Sequence, residues 1–97
     1  MNSQEVLRIL SQHKPEIQRR FGVDDLAIFG SVARGESRQT SDLDVLVAFK
    51  NRPSFDGYMD LRFYLEDLLG VAVDLVTEKA LRRELRDTIE REAIHVP

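Results

Sequence analysis

The stretch that decides the fold consists of two short motifs, FGSVARGE at positions 29–36 and SDLDVLV at positions 41–47, joined by a polar loop. An apolar run at positions 26–29 leads into the first motif, and another at positions 43–49 overlaps the second. Short apolar runs bounded by turn residues are typical of buried β-strands. The two strands therefore bring a glycine–hydroxyl pair, Gly30 and Ser31, within one loop of two carboxylates, Asp42 and Asp44.

Three carboxylates stand out against this apolar background. Asp42 and Asp44 are two positions apart, so on a strand they share one face and repel each other, which a chain usually tolerates only when a cation lies between them. Asp74 interrupts the apolar run at positions 71–76, where a charge is costly unless it is paired or bound to a metal. If this third strand lies beside the second, Asp74 faces the other two. Such a set suits Mg²⁺, and two such ions can serve phosphoryl or nucleotidyl transfer.

Gly30 and Ser31 carry the complementary chemistry. A glycine lets the backbone approach a ligand closely, and the following N–H groups and a hydroxyl can hold phosphate oxygens. Arg34 is a candidate phosphate contact, and it is equally a candidate for simple exposure. Taken singly, each feature has an ordinary explanation, such as a solvated aspartate pair at a strand start or a strand aspartate paired with an arginine. The prediction of a site for a metal–nucleotide complex therefore depends on all of them occurring together.

The rest of the chain predicts helices around these strands. A capping pattern at Asn2 starts a helix, which Pro15 should break near positions 13–14, and Gly22 ends the second piece. Strands are predicted over 23–29, 43–49 and 71–76, a short helical turn over 31–34 and a loop over 36–41. A helix capped by Ser54 or Asp56 runs to residue 69, and a last helix capped by Thr77 carries an apolar stripe. Residues 93–97 are predicted to add a short extended piece at the end of the chain.

Composition sets the outer bounds. The 97 residues predict one domain, 1–97, with a core small enough to profit from a homo- or hetero-oligomeric partner. A net charge of −3 argues against direct, non-specific nucleic-acid binding. The absence of cysteine excludes disulfides and thiolate chemistry. No apolar run in the sequence is long enough for a bilayer, and the first residues do not resemble a signal peptide, so we expect no membrane and a cytoplasmic location.

The two motifs resemble a known signature. Gly30-Ser31, then ten residues, then Asp42-Leu43-Asp44 is similar to the Gly-Ser…Asp-x-Asp pattern of the DNA polymerase beta-like nucleotidyltransferase superfamily. The longer strings at 29–36 and 41–47 resemble the minimal nucleotidyltransferases (MNT family) of bacteria and archaea. Asp74 matches that family's third carboxylate, and the resemblance covers nearly the whole chain.

The resemblance implies an α+β fold of the polymerase-beta-like type, a small mixed β-sheet flanked by helices. It implies transfer of AMP from ATP to a hydroxyl with Mg²⁺, two ions being expected and Mn²⁺ being an alternative. The acceptor would be a tyrosine of a cognate HEPN-domain ribonuclease toxin, for which the chain is the antitoxin. The residues that would carry the activity are, as catalytic metal ligands, Asp42, Asp44 and Asp74 and, as nucleotide contacts, Gly30, Ser31 and Arg34.

Two other functions remain open at this point. The chain could be a non-catalytic antitoxin that neutralises a toxin by covering it, or a nucleotide-sensing regulator. Three carboxylates in one place favour the enzyme, because a protein that only covers its target gains nothing from repelling charges. By this resemblance we expect the chain to lack the extra helical domain that binds acceptors in larger relatives, which favours a protein acceptor over a small molecule.

Overall fold

The structure is a computed structural model that describes residues 2–36 and 42–97, and its centre is a mixed four-stranded sheet. The sheet order is β3-β2-β1-β4. The central strands β1 and β2 are antiparallel, β4 is antiparallel to β1, and β3 is parallel to β2. The strands comprise β1 Val23–Phe29, β2 Leu43–Phe49, β3 Val73–Thr77 and β4 Ile94–His95. The predicted bounds of the first two strands are confirmed, and so are the mixed sheet and the α+β class.

Four helices and one 3₁₀ turn surround the sheet, in the order α1 Ser3–Phe21, α2 Gly30–Ala33, α3 Phe55–Leu69, the turn Glu78–Ala80 and α4 Arg83–Glu92. The Asn2 side chain accepts a hydrogen bond from the Glu5 amide at 2.8 Å, which confirms the predicted start of α1. Ser54 caps α3 by accepting from the Gly57 amide at 3.0 Å, so of the two predicted caps Ser54 is the correct one. The predicted loop at positions 37–41 lies outside the described residues.

The core forms between one face of the sheet and the helices α1 and α3. Leu43, Val45 and Val47 of β2 are fully buried, because alternate side chains of a strand point to the same face. The apolar side chains of α1 and α3 close this face. The cluster contains, from α1, Val6, Leu10 and Ile17, from α3, Leu61 and Leu65, and from β2, Leu43, Val45 and Val47. The opposite face of β2 carries the partly exposed Asp44.

The predicted break at Pro15 is wrong, because α1 runs without interruption from Ser3 to Phe21 with the proline inside it. Proline in a helix interior removes a hydrogen bond and crowds the preceding turn, which favours a break. Here buried side chains lie on both sides of the proline, Val6 and Leu10 before it and Ile17 after it. Packing of both halves on one sheet therefore outweighs the local preference.

Replacing Pro15 with alanine is expected to stabilise the protein. Proline is about 3 kcal/mol less favourable than alanine inside a helix, and the restriction that it places on the unfolded chain returns only about 1 kcal/mol or less. The melting temperature should rise by roughly 4–8 °C for each kcal/mol gained in a domain of this size. Gln12→Ala, at another exposed position of α1, is the control and should change little. An unchanged or lower melting temperature for Pro15→Ala would contradict the continuous helix.

The third strand and the last helix differ from the prediction. β3 begins at Val73 rather than Val71, because Gly70, in a left-handed conformation (φ 70°), turns the chain and the next two residues lead it back to the sheet. Thr77 makes no side-chain capping bond, and it precedes the 3₁₀ turn instead of α4. The helix α4 buries none of its residues, and Leu85 of its predicted apolar stripe is 52% exposed. The predicted extended piece at the end of the chain is confirmed as β4. Every helix in the described part of the chain is too short or too polar to span a bilayer.

Candidate functional site

The parallel pairing of β2 and β3 brings two of the predicted carboxylates together. Asp44 lies directly opposite Asp74 in the register of the two strands, so both side chains point to the same face of the sheet. That face is the one opposite the core. Asp42 immediately precedes β2, and both it and Asp74 are exposed, whereas Asp44 is partly buried. The site is therefore an acidic pair at one end of the sheet, with a third carboxylate beside it.

Electrostatics at this pair disfavours the ionised form of Asp44. The pKa of Asp44 is raised first by its partial burial. The negative charge of Asp74 raises it further, as do a hydrogen bond to Asp74 when Asp44 is protonated and the charge of Asp42. The positive charge of Arg34 partly offsets these effects. Two carboxylates that face each other across neighbouring strands thus repel, and a bound cation would relieve that repulsion.

Gly30 lies next to the Asp44 side chain. The Phe29 backbone pairs with Asp44 across β1 and β2, and Gly30 follows at once as the first residue of α2, with a φ of 73° that favours glycine. A Cβ atom on Gly30 would lie 2.0 Å from the Asp44 Oδ2 atom and 3.0 Å from its Cγ atom. The glycine therefore leaves the space that the carboxylate occupies. It also leads into the first N–H groups of α2, which have no acceptor within a helix turn.

Arg34 makes two ion pairs. Its Nε atom lies 3.1 Å from the Glu36 Oε2 atom, and its Nη1 atom lies 3.2 Å from the Glu92 Oε2 atom. The second pair links the end of α2 to the end of α4, 58 residues along the chain. A role for Arg34 in binding nucleotide stays a prediction, and such a contact would compete with these two carboxylates.

The donor chemistry of the acidic pair fits a hard cation. Within residues 2–36 and 42–97, no three acidic or histidine side chains are already gathered as ligands around one point. Asp44 and Asp74 are adjacent, however, and Asp42 is exposed two residues away from Asp44. Mg²⁺ takes few protein carboxylates and completes its shell with water and phosphate oxygens, so it does not need a full protein cage.

A separate groove lies at the opposite end of β2. It has a volume of about 910 Å³, and its lining includes Phe49, Arg52, Phe55 and Arg86. Sequence reasoning did not find this groove, because its lining comes from β2, the following loop, the 3₁₀ turn and α4, which are far apart in the chain. In the part of the chain that the structure describes, the lining of this groove includes none of Asp42, Asp44 and Asp74.

On this mixed sheet Gly30, at the end of β1, lies beside Asp44 of β2, and Asp44 faces Asp74 of β3. Residues 10–96 match the model of the family described as Nucleotidyltransferase domain, and the chain belongs to this family. The family and the enzyme class predicted from the motifs are thereby confirmed.

Two of the similar proteins match this chain over almost their whole length. Protein adenylyltransferase MntA of Thermococcus cleftensis is 43% identical over 93 residues, which cover 96% of this chain and 94% of that protein. A solved structure described as a minimal nucleotidyltransferase has 44% identity and a TM-score of 0.81, and the match covers 97% of this chain and 95% of that one. A tri-AMPylated Shewanella oneidensis HEPN toxin in complex with an MNT antitoxin contains a chain of the same fold, with a TM-score of 0.67 and 16% identity over 94% of this chain and 71% of that one.

Proposed function

We propose that this protein transfers AMP from ATP to a tyrosine hydroxyl of a HEPN-domain ribonuclease toxin, and thereby acts as its antitoxin. The observation that carries the proposal is the pairing of Asp44 with Asp74 beside Gly30 on an open sheet face. The relative from Thermococcus cleftensis, 43% identical, is named a protein adenylyltransferase, which supports a protein as the acceptor. The complex of an AMPylated HEPN toxin with an MNT antitoxin supports both AMP and the kind of partner.

Asp42, Asp44 and Asp74 are the residues that would hold Mg²⁺, with Asp74 on the side of the acceptor. When bound, the metal would stabilise the negative charge on the attacking and leaving oxygens. The acceptor oxygen forms a bond to the α-phosphorus of ATP, the bond from this phosphorus to the bridging oxygen breaks, and pyrophosphate leaves. Asp74, as ligand or base, makes the acceptor hydroxyl more nucleophilic and assists the departure of its proton.

Gly30 and Ser31 serve the other end of the reaction. The glycine leaves room for the Asp44 carboxylate beside the backbone, and in this proposal the triphosphate binds next to that carboxylate. In this proposal the first N–H groups of α2 and the Ser31 hydroxyl hold the β and γ phosphates. The same groups stabilise the negative charge that grows on pyrophosphate as it leaves.

The exposure of the acidic residues explains why a protein is the proposed acceptor. Asp42 and Asp74 are exposed, and the groove lined by Phe49, Arg52, Phe55 and Arg86 lies away from them. An open site needs a partner that excludes water and aligns the attacking hydroxyl. Each AMP added to the toxin brings one negative phosphodiester charge and a bulky group, and both would obstruct the binding of anionic RNA.

A second candidate is an antitoxin that acts by binding alone. The observation that favours it is the exposed apolar surface: Phe55 is 76% exposed, Phe63 is 52% exposed and Leu85 is 52% exposed. Large exposed apolar side chains are suited to protein contacts. This candidate leaves the repulsion between Asp44 and Asp74 without a purpose, and for that reason the enzyme is preferred.

Mass spectrometry of the partner separates the two candidates. The purified protein is mixed with the product of the neighbouring gene and with ATP and Mg²⁺, and the partner is then weighed and its modified residue mapped. We expect the mass of one or more AMP groups on tyrosine, which should be absent with Asp44→Asn. Asp67→Asn, at an exposed position of α3, is the matched control and should transfer as the wild type does. An unmodified partner whose ribonuclease is nevertheless silenced, by the wild type and by Asp44→Asn alike, would favour binding alone.

A further inference from the structure

The strand that carries Asp74 lies at one edge of the sheet. β3 has β2 as its neighbour on one side and no strand on the other within the described residues. An edge strand is held by one set of backbone hydrogen bonds, so it moves more easily than a central strand. The repulsion between Asp44 and Asp74 acts across this one set of bonds. The position of Asp74 therefore depends on whatever holds the outer edge of β3.

Two side chains of α3 hold that outer edge. The Glu66 Oε2 atom accepts a hydrogen bond from the Val73 amide at 2.9 Å. The Tyr58 hydroxyl donates a hydrogen bond to the Leu75 carbonyl. Val73 and Leu75 are the residues immediately before and after Asp74, and their backbone groups point away from β2 because successive groups alternate sides along a strand. The two bonds therefore clamp the backbone on both sides of Asp74.

The core fixes the position of this clamp. Tyr58 and Glu66 are eight residues apart, about two turns, so they lie on related faces of α3. Between them Leu61 and Leu65 are fully buried in the core under the sheet. The Arg62 Nε atom lies 3.7 Å from the Glu66 Oε2 atom, and its charge attracts the carboxylate. The helix thus presents a hydroxyl and a carboxylate to β3 from a rigid support.

We infer that Tyr58 and Glu66 are positioning residues for nucleotidyl transfer, which hold the backbone of Asp74 at the distance from Asp44 that the reaction requires. This inference rests on the proposed function of the same site. Displacement of a reacting or ligating group by about 1 Å can reduce a rate by about 100-fold. Loss of one clamp bond should displace Asp74 by less than this distance, because the other bond remains, and the rate should therefore fall by less than about 100-fold.

The kinetic test compares Tyr58→Phe and Glu66→Ala, which each remove one clamp bond, with variants of α3 that leave both clamp bonds possible. Each is expected to lower kcat for AMP transfer by about 10-fold, while KM for ATP stays within about twofold, because Asp42, Asp44, Gly30 and Ser31 are untouched. Glu66→Gln keeps an oxygen acceptor for the Val73 amide and should restore most of the rate. Tyr64→Phe is the matched control: it also removes a hydroxyl from α3, but that hydroxyl donates to Glu16 on α1 at 3.0 Å.

Hydrogen exchange tests the clamp without any need for activity. In the nucleotide-free protein, Tyr58→Phe and Glu66→Ala should each increase exchange of the Asp74 and Val76 amides by about 10-fold, and Tyr64→Phe should not. Unchanged exchange in both clamp variants would overturn the inference, whatever their activity. Faster exchange together with wild-type kcat in both would overturn it as well, because Asp74 would then need no positioning. A wild type that transfers nothing contradicts the proposed function instead, and exchange alone then decides whether the clamp exists.

Discussion

Asp44→Asn is expected to abolish AMP transfer while raising the melting temperature of the nucleotide-free protein. The rate should fall by roughly 1000-fold or more, as is usual when a group that acts in concert with others is removed. The gain in stability follows from the register of β2 and β3, in which Asp44 faces Asp74. Asparagine has a similar shape and no charge, so it removes the repulsion and keeps a donor for Asp74.

The pH dependence of this stabilisation has a definite sign. The pKa of Asp44 is higher in the folded protein than its ordinary value, first because of burial and then because of Asp74. Between the unfolded and folded pKa values the folded chain binds more protons than the unfolded one, so this group makes the protein less stable as pH rises through that window. The variant lacks the effect. Its advantage in melting temperature should therefore be small in acid, below the unfolded pKa, and largest near neutral pH.

Thermal melting of the wild type, Asp44→Asn and the control Asp67→Asn, with and without ATP and Mg²⁺, checks both effects together. A ligand that binds the folded state raises the melting temperature, so the wild type and the control should gain stability from the complex. Asp44→Asn should start higher and gain almost nothing. Equal gains in all three proteins would show that Asp44 does not bind the metal–nucleotide complex.

Gly30→Ala is expected to have the second large effect, on both stability and activity. The backbone there has a φ of 73°, which costs a residue with a Cβ about 1–2 kcal/mol. The added Cβ would also lie 2.0 Å from the Asp44 Oδ2 atom, so the carboxylate must move. Transfer should fall by roughly 100-fold or more, because both the phosphate approach and the position of Asp44 are disturbed.

Gly70→Ala separates the backbone strain of a residue with a Cβ from the clash with Asp44. Gly70 ends α3 with a φ of 70°, close to that of Gly30, but a Cβ there would meet no atom within 4 Å. It should lose similar stability through the backbone and keep full activity per folded molecule. The comparison uses denaturant unfolding for stability and initial rates for transfer. If Gly30→Ala loses no more activity than Gly70→Ala, then the fit of Gly30 against Asp44 has no role in the reaction.

Much of the fold follows from local sequence. The strands β1 and β2 are bounded as predicted, because glycines or polar turn residues flank each largely apolar stretch. The break at Pro15 was predicted from the local chemistry of proline, which cannot reveal that residues on both sides of it pack on one sheet. The start of α4 was placed too early because Thr77 is a good cap by residue type, whereas the chain first makes a 3₁₀ turn.

The candidate site is only partly visible in the sequence. The two motifs predict which residues matter, but the contact between Asp44 and Asp74 requires the parallel pairing of strands that are separated by a whole helix. The ion pair of Arg34 with Glu92 joins residues 58 positions apart, and no local pattern indicates it. The sequence likewise does not indicate that the Tyr58 hydroxyl donates a hydrogen bond to the strand that carries Asp74.

The central claim is that the bond broken is the one at the α-phosphorus of ATP. It is tested most directly by incubating the protein and its partner with Mg²⁺ and ATP that is radiolabelled either at the α or at the γ phosphate. Nucleotidyl transfer predicts that α label becomes covalently attached to the partner and that γ label is released as pyrophosphate. Asp44→Asn should attach neither. Attachment of γ label to the partner, or attachment of α label that is equal with Asp44→Asn, would contradict the account.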